Sequence, residues 1–409
     1  MKKRLSIVLL ALFIGCTSWS QSTDLIIRKN APQVEIPFEY KNNFIIISVL
    51  LNDVFPLKFI FDTGAEHTIL TKREITDLLQ VNYQRRFTVM GSDMKTELHA
   101  YLATGVRFKI DKLLATNRTM LVLEEDYFRF EEYAGINIQG ILGADFFRRF
   151  VVKIDYRKQR ITLYDPARFE PPSKKYTKVP VEIYRHKPYI NASTSLHSGL
   201  ETDLKLLVDS GAGLTLLLHT DTDSSLTLPP TVIRSSLGMG LGGTIEGFLG
   251  RIQHFEMADF HFENMGTSFQ EIQGTTDSAY LNDRNGILGN QVMSRFTIII
   301  DYIREELYLR PTRRFDRKFR FDRSGLAIAN SGPNLNSFVV FYVVPESPAD
   351  EAGIQVGDEI KTLNNIPVTF LSLADIVRKL QRRQGKRIKM RLERGEESFQ
   401  VKFRLRDLI

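Results

Sequence analysis

Phe61-Asp62-Thr63-Gly64-Ala65 recurs later in the chain as Val208-Asp209-Ser210-Gly211-Ala212. Each copy is followed by a second apolar-glycine phrase, Gly140-Ile141-Leu142-Gly143 and then Gly286-Ile287-Leu288-Gly289. The interval from Asp62 to Gly143 is 81 residues, and that from Asp209 to Gly289 is 80. A lone Asp-Thr/Ser-Gly tripeptide carries little weight, because ordinary composition produces one by chance in roughly one chain in six of this length. Two copies with the same partner at the same offset mean a duplicated lobe, and with it two aspartates placed to face each other.

The sequence around the first copy reads as β structure. Residues 44–51 form a β-rich run, Asn52-Asp53 is a turn signal, and 57–61 form a second run that delivers Asp62 into a glycine-containing loop. The second run is apolar at nearly every position, as a strand buried on both faces requires. Residues 86–90 and 101–110 predict strands flanking a polar turn at Gly91-Ser92-Asp93, and 145–149 a short helix. Residues 151–155 and 160–164 then predict a closing hairpin. The second half repeats this plan, with 204–208 leading into Asp209, a glycine-rich turn at 237–243, and closing strands at 296–302 and 306–309. The closing segments 147–156 and 293–302 align by eye. Between the halves, Pro166, Pro171, Pro172, Pro180 and Pro188 mark a connector. From about Ser324 the pattern changes to an α+β unit, with a short helix after Ser347-Pro348 and an amphipathic helix opened by Ser372-Leu373-Ala374-Asp375. The expected boundaries are a signal peptide over 1–20, a first lobe over 21–168, a connector over 169–188, a second lobe over 189–315 and a C-terminal unit over 323–409.

Composition narrows the class. The chain has 409 residues, 25% charged and 43% hydrophobic, so it is globular and long enough for two to four domains. Met1-Lys2-Lys3-Arg4 followed by apolar residues 5–15 reads as an export signal, too short to span a bilayer. Two processing readings stay open. Ser18-Trp19-Ser20 offers a small-x-small cut before Gln21, and Phe13-Ile14-Gly15-Cys16 is similar to a bacterial lipobox, which would anchor the protein to a membrane through Cys16. Cys16 is the single cysteine, so the mature chain has no disulfide and no thiol nucleophile, which suits an exported bacterial envelope protein, periplasmic, secreted or lipid-anchored. The formal net charge of +7 reads as solvated surface with some attraction to anionic lipid or polysaccharide. No motif supports a nucleic-acid partner. No His-x-x-x-His pair and no Gly-x-Ser-x-Gly elbow is present, so neither a metal, a cofactor nor a serine nucleophile is expected. Glu124-Glu125-Asp126 reads as a solvated face.

The two lobes resemble retropepsin-like aspartic proteases over roughly residues 40–165 and 180–310, on the Asp-Thr-Gly-Ala, Asp-Ser-Gly-Ala and Ile-Leu-Gly phrases quoted above. The resemblance implies a mostly β fold, with two tandem closed β-barrel lobes forming a pseudo-dimer around one site. It implies that Asp62 and Asp209 share a proton and activate a water, and that the Thr63 and Ser210 hydroxyls cross-link the two loops. Gly64 and Gly211 would let backbone approach the carboxylates. Gly240, Gly242 and Gly243 would form a flap over a peptide, with Gly91 marking its counterpart in lobe one. His67 departs from the small residue expected there, and reads as a surface histidine or one that tunes the site. Two carboxylates in contact cannot both ionise, and this family's dyad is the standard worked example of that rule.

The C-terminal unit resembles a PDZ domain of the bacterial protease-associated kind, on Ser347-Pro348-Ala349 through Ala352-Gly353-Ile354 to Gly357-Asp358-Glu359-Ile360. Gly325-Leu326-Ala327-Ile328 stands where that family has its carboxylate-binding loop, with a sequence that departs from Gly-Leu-Gly-Phe. A chain-terminal peptide added as a strand beside the helix near Ser372 would be its partner, and a cap on the lobes its alternative role. The function expected is therefore an aspartic endopeptidase acting on peptides or proteins. A non-catalytic peptide-binding envelope protein is the competing reading, and lobes contributed by two chains a variant of the first.

Overall fold

The computed structural model describes residues 25–27, 31–93, 95–127, 130–196, 199, 201–272, 283–332 and 335–409. The expected signal peptide and Cys16 lie outside them. The chain is mostly β, as two closed barrels followed by an α+β unit. In lobe one the strands Phe44–Leu51, Phe55–Phe61, Gly140–Leu142, Ile69–Leu70, Leu113–Leu123 and Glu97–Ile110 pair in that order, and the last returns to the first. In lobe two Lys187–Ser195, Glu201–Val208, Gly286–Leu288, Leu216–His219, Phe260–Gln270 and Gly243–Met257 close the same way, with the same sequence of parallel and antiparallel pairings. The duplication read from two short phrases is thus a duplication of topology.

Local chemistry explains the shared plan. The first hairpin turns on Asn52 and Asp53 at φ of 48° and 59°, a left-handed conformation that Asn and Asp tolerate better than other residues with a Cβ. The run Phe59-Ile60-Phe61 is apolar at consecutive positions because it faces two cores. Phe59 and Phe61 enter the main core, and Ile60 enters a smaller cluster with Ile46, Ile141 and Leu241. Both closing hairpins turn on an aspartate. Asp155 Oδ1 accepts from the Arg157 and Lys158 amides at 3.1 and 2.9 Å, and Asp301 Oδ1 from those of Ile303 and Arg304 at 3.1 and 3.0 Å.

These closing hairpins join the lobes. Val151–Asp155 pairs antiparallel with Phe296–Asp301, from Val151↔Asp301 to Asp155↔Thr297, at the centre of a sheet that also holds Arg160–Tyr164, Gln33–Pro37, Glu306–Pro311 and Thr177–Pro180. Val151, Ile299 and Tyr308 are buried on one face of it, and Phe147 and Tyr302 meet at 5.9 Å beside the dyad loops. The proline-rich stretch expected as a bare connector contributes to this architecture. Thr177–Pro180 is an edge strand of the joining sheet, a place where the N–H that Pro180 lacks is not needed by the ladder, and Glu182–Tyr184 forms a hairpin with the start of Lys187–Ser195.

The C-terminal unit has its own core around Ile328, Val340, Ile360, Ile376, Ile388 and Met390. Its helix Leu373–Leu380 begins with the expected capping box, in which the Asp375 amide donates to Ser372 Oγ at 3.2 Å and the Ser372 amide to Asp375 Oδ2 at 3.1 Å. The unit rests on both lobes. Tyr342 Oη donates to Arg234 O at 3.0 Å, Arg251 Nε donates to Ile409 O at 3.0 Å, and the helix Phe130–Ala134 packs beside the strand Leu326–Ser331.

Candidate active site

Each Asp-Thr/Ser-Gly loop hangs from a parallel pair of strands. Leu142 pairs with Phe61 and Leu288 with Val208, and the Leu142 and Leu288 carbonyls accept from the amides of Asp62 and Asp209 at 3.1 and 3.0 Å. The glycines of the Ile-Leu-Gly phrases permit this closeness. A Cβ on Gly143 would lie 2.4 Å from His67 O, and one on Gly289 2.3 Å from Leu214 O.

The loops are tied to each other four times. Thr63 Oγ1 donates to Val208 O at 2.7 Å and accepts from the Ser210 amide at 2.9 Å. Ser210 Oγ donates to Phe61 O at 2.8 Å and accepts from the Thr63 amide at 3.0 Å. Both hydroxyl residues are fully buried. Asn290 adds a bracket on one side only, donating to Ser210 O at 2.5 Å and Asn43 O at 2.9 Å while accepting from Tyr156 Oη at 2.5 Å. The matching position in lobe one is Ala144, and the hydroxyl of Tyr302, the counterpart of Tyr156, is buried without a hydrogen-bond partner among the described residues.

The two carboxyls therefore meet across the lobe interface. Asp62 and Asp209 hydrogen-bond each other, and each rests on the other lobe's glycine. A Cβ on Gly64 would lie 2.4 Å from Asp209 Cγ, and one on Gly211 2.2 Å from Asp62 Oδ2. Asp62 Oδ1 accepts from the Gly64 and Ala65 amides at 2.7 and 3.1 Å, and Asp209 Oδ1 from the Gly211 amide at 2.7 Å. Burial, then the charge of Asp209 and its hydrogen bond, push the Asp62 carboxyl well above the usual carboxylate range. Burial also raises Asp209, against the hydrogen bond from Asp62, the Gly211 amide and the charge of Arg284. One shared proton fits this pair.

Above the pair lies a cavity of about 1380 Å³. Two hairpins roof it, Tyr83–Met90 with Glu97–Ile110 and Val232–Gly240 with Gly243–Met257, and their tips touch. The Ser92 amide donates to Leu241 O at 2.5 Å. A Cβ on Gly91 would come within 2.8 Å of that same carbonyl, and one on Gly240 within 2.5 Å of Ser92 Cβ. Gly242 and Gly243 stand at φ of 100° and 121°, the left-handed region that favours glycine. His67 is on the rim with its ring exposed beside Glu66.

Residues 47–146 match the family model for aspartyl protease, and residues 339–394 that for the PDZ domain. The chain carries an aspartyl protease domain and a PDZ domain. No curated protein matches it. The aspartyl protease match falls within lobe one, and lobe two repeats that lobe's strand order. In the PDZ domain Leu326, Ala327 and Ile328 open an edge strand and line the same cavity as the dyad, together with Leu373 and Val377 of the facing helix. Gly325 precedes them at φ 84°. Its amide donates to Asp322 Oδ1 at 2.7 Å and that of Leu326 to Ser324 Oγ at 3.2 Å, so two donors of the expected carboxylate loop are already engaged within the chain.

The fold assembles groups that spacing along the sequence did not expose. Lys187, His219 and Arg284 line the cleft on the Asp209 side, each at most 8% exposed. A lysine just after a turn and a histidine after a leucine run carry no sequence signal of burial. On the outer hairpin of lobe two, His254, Glu256 and His261 come together with ligand atoms within 4.8 Å of one another, because Glu256 pairs across from His261. None of the three lines the cleft.

Proposed function

We propose that the chain is an aspartic endopeptidase whose two lobes, within one chain, hold Asp62 and Asp209 as a proton-sharing pair. The observation that carries this reading is the hydrogen bond between two desolvated carboxyls at the floor of a roofed cleft. Asp62, raised further, keeps the proton at rest, and Asp209 is the base. Asp209 takes a proton from water as the water oxygen bonds to the scissile carbonyl carbon. The Asp62 proton passes to the carbonyl oxygen, giving a neutral diol and no covalent enzyme intermediate. Collapse of the diol moves a proton to the amide nitrogen, breaks the C–N bond and returns the pair to one shared proton. The amides of Gly64, Ala65 and Gly211 hold the carboxylates in place for this exchange. The touching hairpin tips serve as flaps that open for a peptide and close over it as an added strand.

The PDZ domain, whose groove opens into the same cavity, recruits or gates peptide substrates. The basic start and apolar run of residues 1–20 support work in the cell envelope. Incubating the purified protein with a broad peptide library from pH 3 to pH 8 tests the reading. Internal cleavage of a defined set of sequences is expected, whereas peptide binding without any cleavage would favour a binding protein.

A further inference from the structure

The cleft is asymmetric at its centre. Two residues beyond the Ile46↔Ile60 pair, Phe44 and Asp62 leave the lobe-one ladder side by side. Two residues beyond Tyr189↔Leu207, Lys187 and Asp209 do the same in lobe two. Pseudo-equivalent positions beside the two aspartates thus hold a phenyl ring and an ammonium. On the lobe-one side Phe44 packs edge-on against Phe130 at 4.9 Å, and Ile60 and Ile141 continue an apolar wall. On the lobe-two side Lys187 is 8% exposed, and its ammonium makes no hydrogen bond or ion pair with a described residue. His219, 1% exposed, lines the same side, and neither ring nitrogen has a hydrogen-bond partner among the described residues. Arg284 is buried near both, and its charge acts on Lys187, His219 and Asp209 alike. Two acidic groups act on Lys187, Glu66 from lobe one, which Arg185 engages at 3.0 Å, and Asp209 beside it.

A buried cation without a partner is costly to the free protein, and native structures keep such groups where a ligand completes them. Burial lowers the Lys187 ammonium to about 8, which leaves it charged at neutral and acid pH. The ammonium and the neutral imidazole offer donors, and the nearby guanidinium adds positive charge, the chemistry of a carboxylate site.

We propose that Lys187, with Arg284 and His219, forms a carboxylate-binding subsite on the lobe-two side of the cleft. The enzyme then takes peptides that place an acidic group there and a large apolar side chain at the matching position beside Phe44. This rests on the protease reading given above. The carboxylate comes either from an Asp or Glu side chain or from the end of the peptide chain.

Two peptide series separate these sources, one with Glu or Gln at each position around the cleaved bond and one with acid or amide C-termini. Each is read with the wild type, Lys187→Met and Lys187→Arg. The wild type should prefer Glu over Gln at one position by roughly tenfold to a hundredfold in kcat/KM. The ratio should fall to near one in Lys187→Met and persist in Lys187→Arg. Because the ratio is taken within each variant, any general loss of activity cancels, and thermal melting verifies folding. A preference for acid over amide ends that behaves in the same way assigns the site to a terminal carboxylate. Ratios near one in both series for the wild type, or a ratio that survives Lys187→Met, would overturn the subsite. If the wild type cleaves nothing, the protease reading has failed on its own. The same ratios are then read as Kd by fluorescence anisotropy of labelled peptides. A carboxylate preference lost in Lys187→Met upholds the subsite, and equal binding overturns it.

Discussion

At Asp62 three influences of different sign act on one carboxyl. Burial and the neighbouring Asp209 favour the protonated form, and two backbone amides favour the ionised one. The first two prevail, and a pH dependence follows. An acid whose folded pKa lies above its unfolded value, about 3.9, contributes stability that is complete below that value and is lost as pH rises through the folded one. The wild type should therefore lose stability relative to Asp62→Asn as pH rises from about 4. In thermal melts the Asn variant should be the more stable at pH 7, and the gap should close towards pH 4. A gap independent of pH would mean that Asp62 is not desolvated. Gly211 responds to the same geometry. A methyl there would sit 2.2 Å from Asp62 Oδ2, so Gly211→Ala should cost about 1–3 kcal/mol and most of the peptidase activity, as read by denaturant unfolding and peptide cleavage.

The two loops are tied to each other, and the bracket beside the ties is present on one side only. Thr63→Val keeps the shape of the side chain but strands the Ser210 amide and the Val208 carbonyl, which should cost about 1–3 kcal/mol in chemical denaturation. Tyr156→Phe should cost a similar amount, because Asn290 Oδ1 loses its donor in a buried place. Tyr302→Phe removes a hydroxyl that has no partner among the described residues, so its unfolding free energy should match the wild type or exceed it. Equal losses in the two tyrosine variants would contradict the assigned asymmetry.

The elements that could be read in advance are those whose signal is local. Strands Phe44–Leu51, Val151–Asp155 and Arg160–Tyr164 were legible end to end, because apolar runs there are bounded by turn residues. Leu113–Leu123 and Ile69–Leu70 were not, since a mixed run such as Ala115-Thr116-Asn117-Arg118-Thr119 becomes a strand only through its neighbours in the closed barrel. Thr177–Pro180 was hidden by Pro180, since a proline marks an edge strand as readily as a linker. At the site, the facing of Asp62 and Asp209 was legible from the repeated phrase, and the ties of Thr63 and Ser210 were implied by the family resemblance. Lys187 and Asn290 were not, because their importance depends on which groups lie opposite them across the lobe interface.

The two lobes are joined into one unit by the sheet that pairs Val151–Asp155 with Phe296–Asp301. Since a single chain supplies both aspartates, peptidase activity per molecule should stay constant on dilution from micromolar to low nanomolar concentration. Activity falling in proportion to concentration would instead require lobes from two chains. The most direct test of the account is peptide cleavage by Asp62→Asn and Asp209→Asn, each made alone and assayed beside the wild type under the same conditions. The account predicts that either substitution lowers kcat by roughly 10²–10⁴-fold, because neither carboxyl can act as both acid and base. Cleavage at near wild-type rates by either single variant would contradict a shared Asp62–Asp209 site.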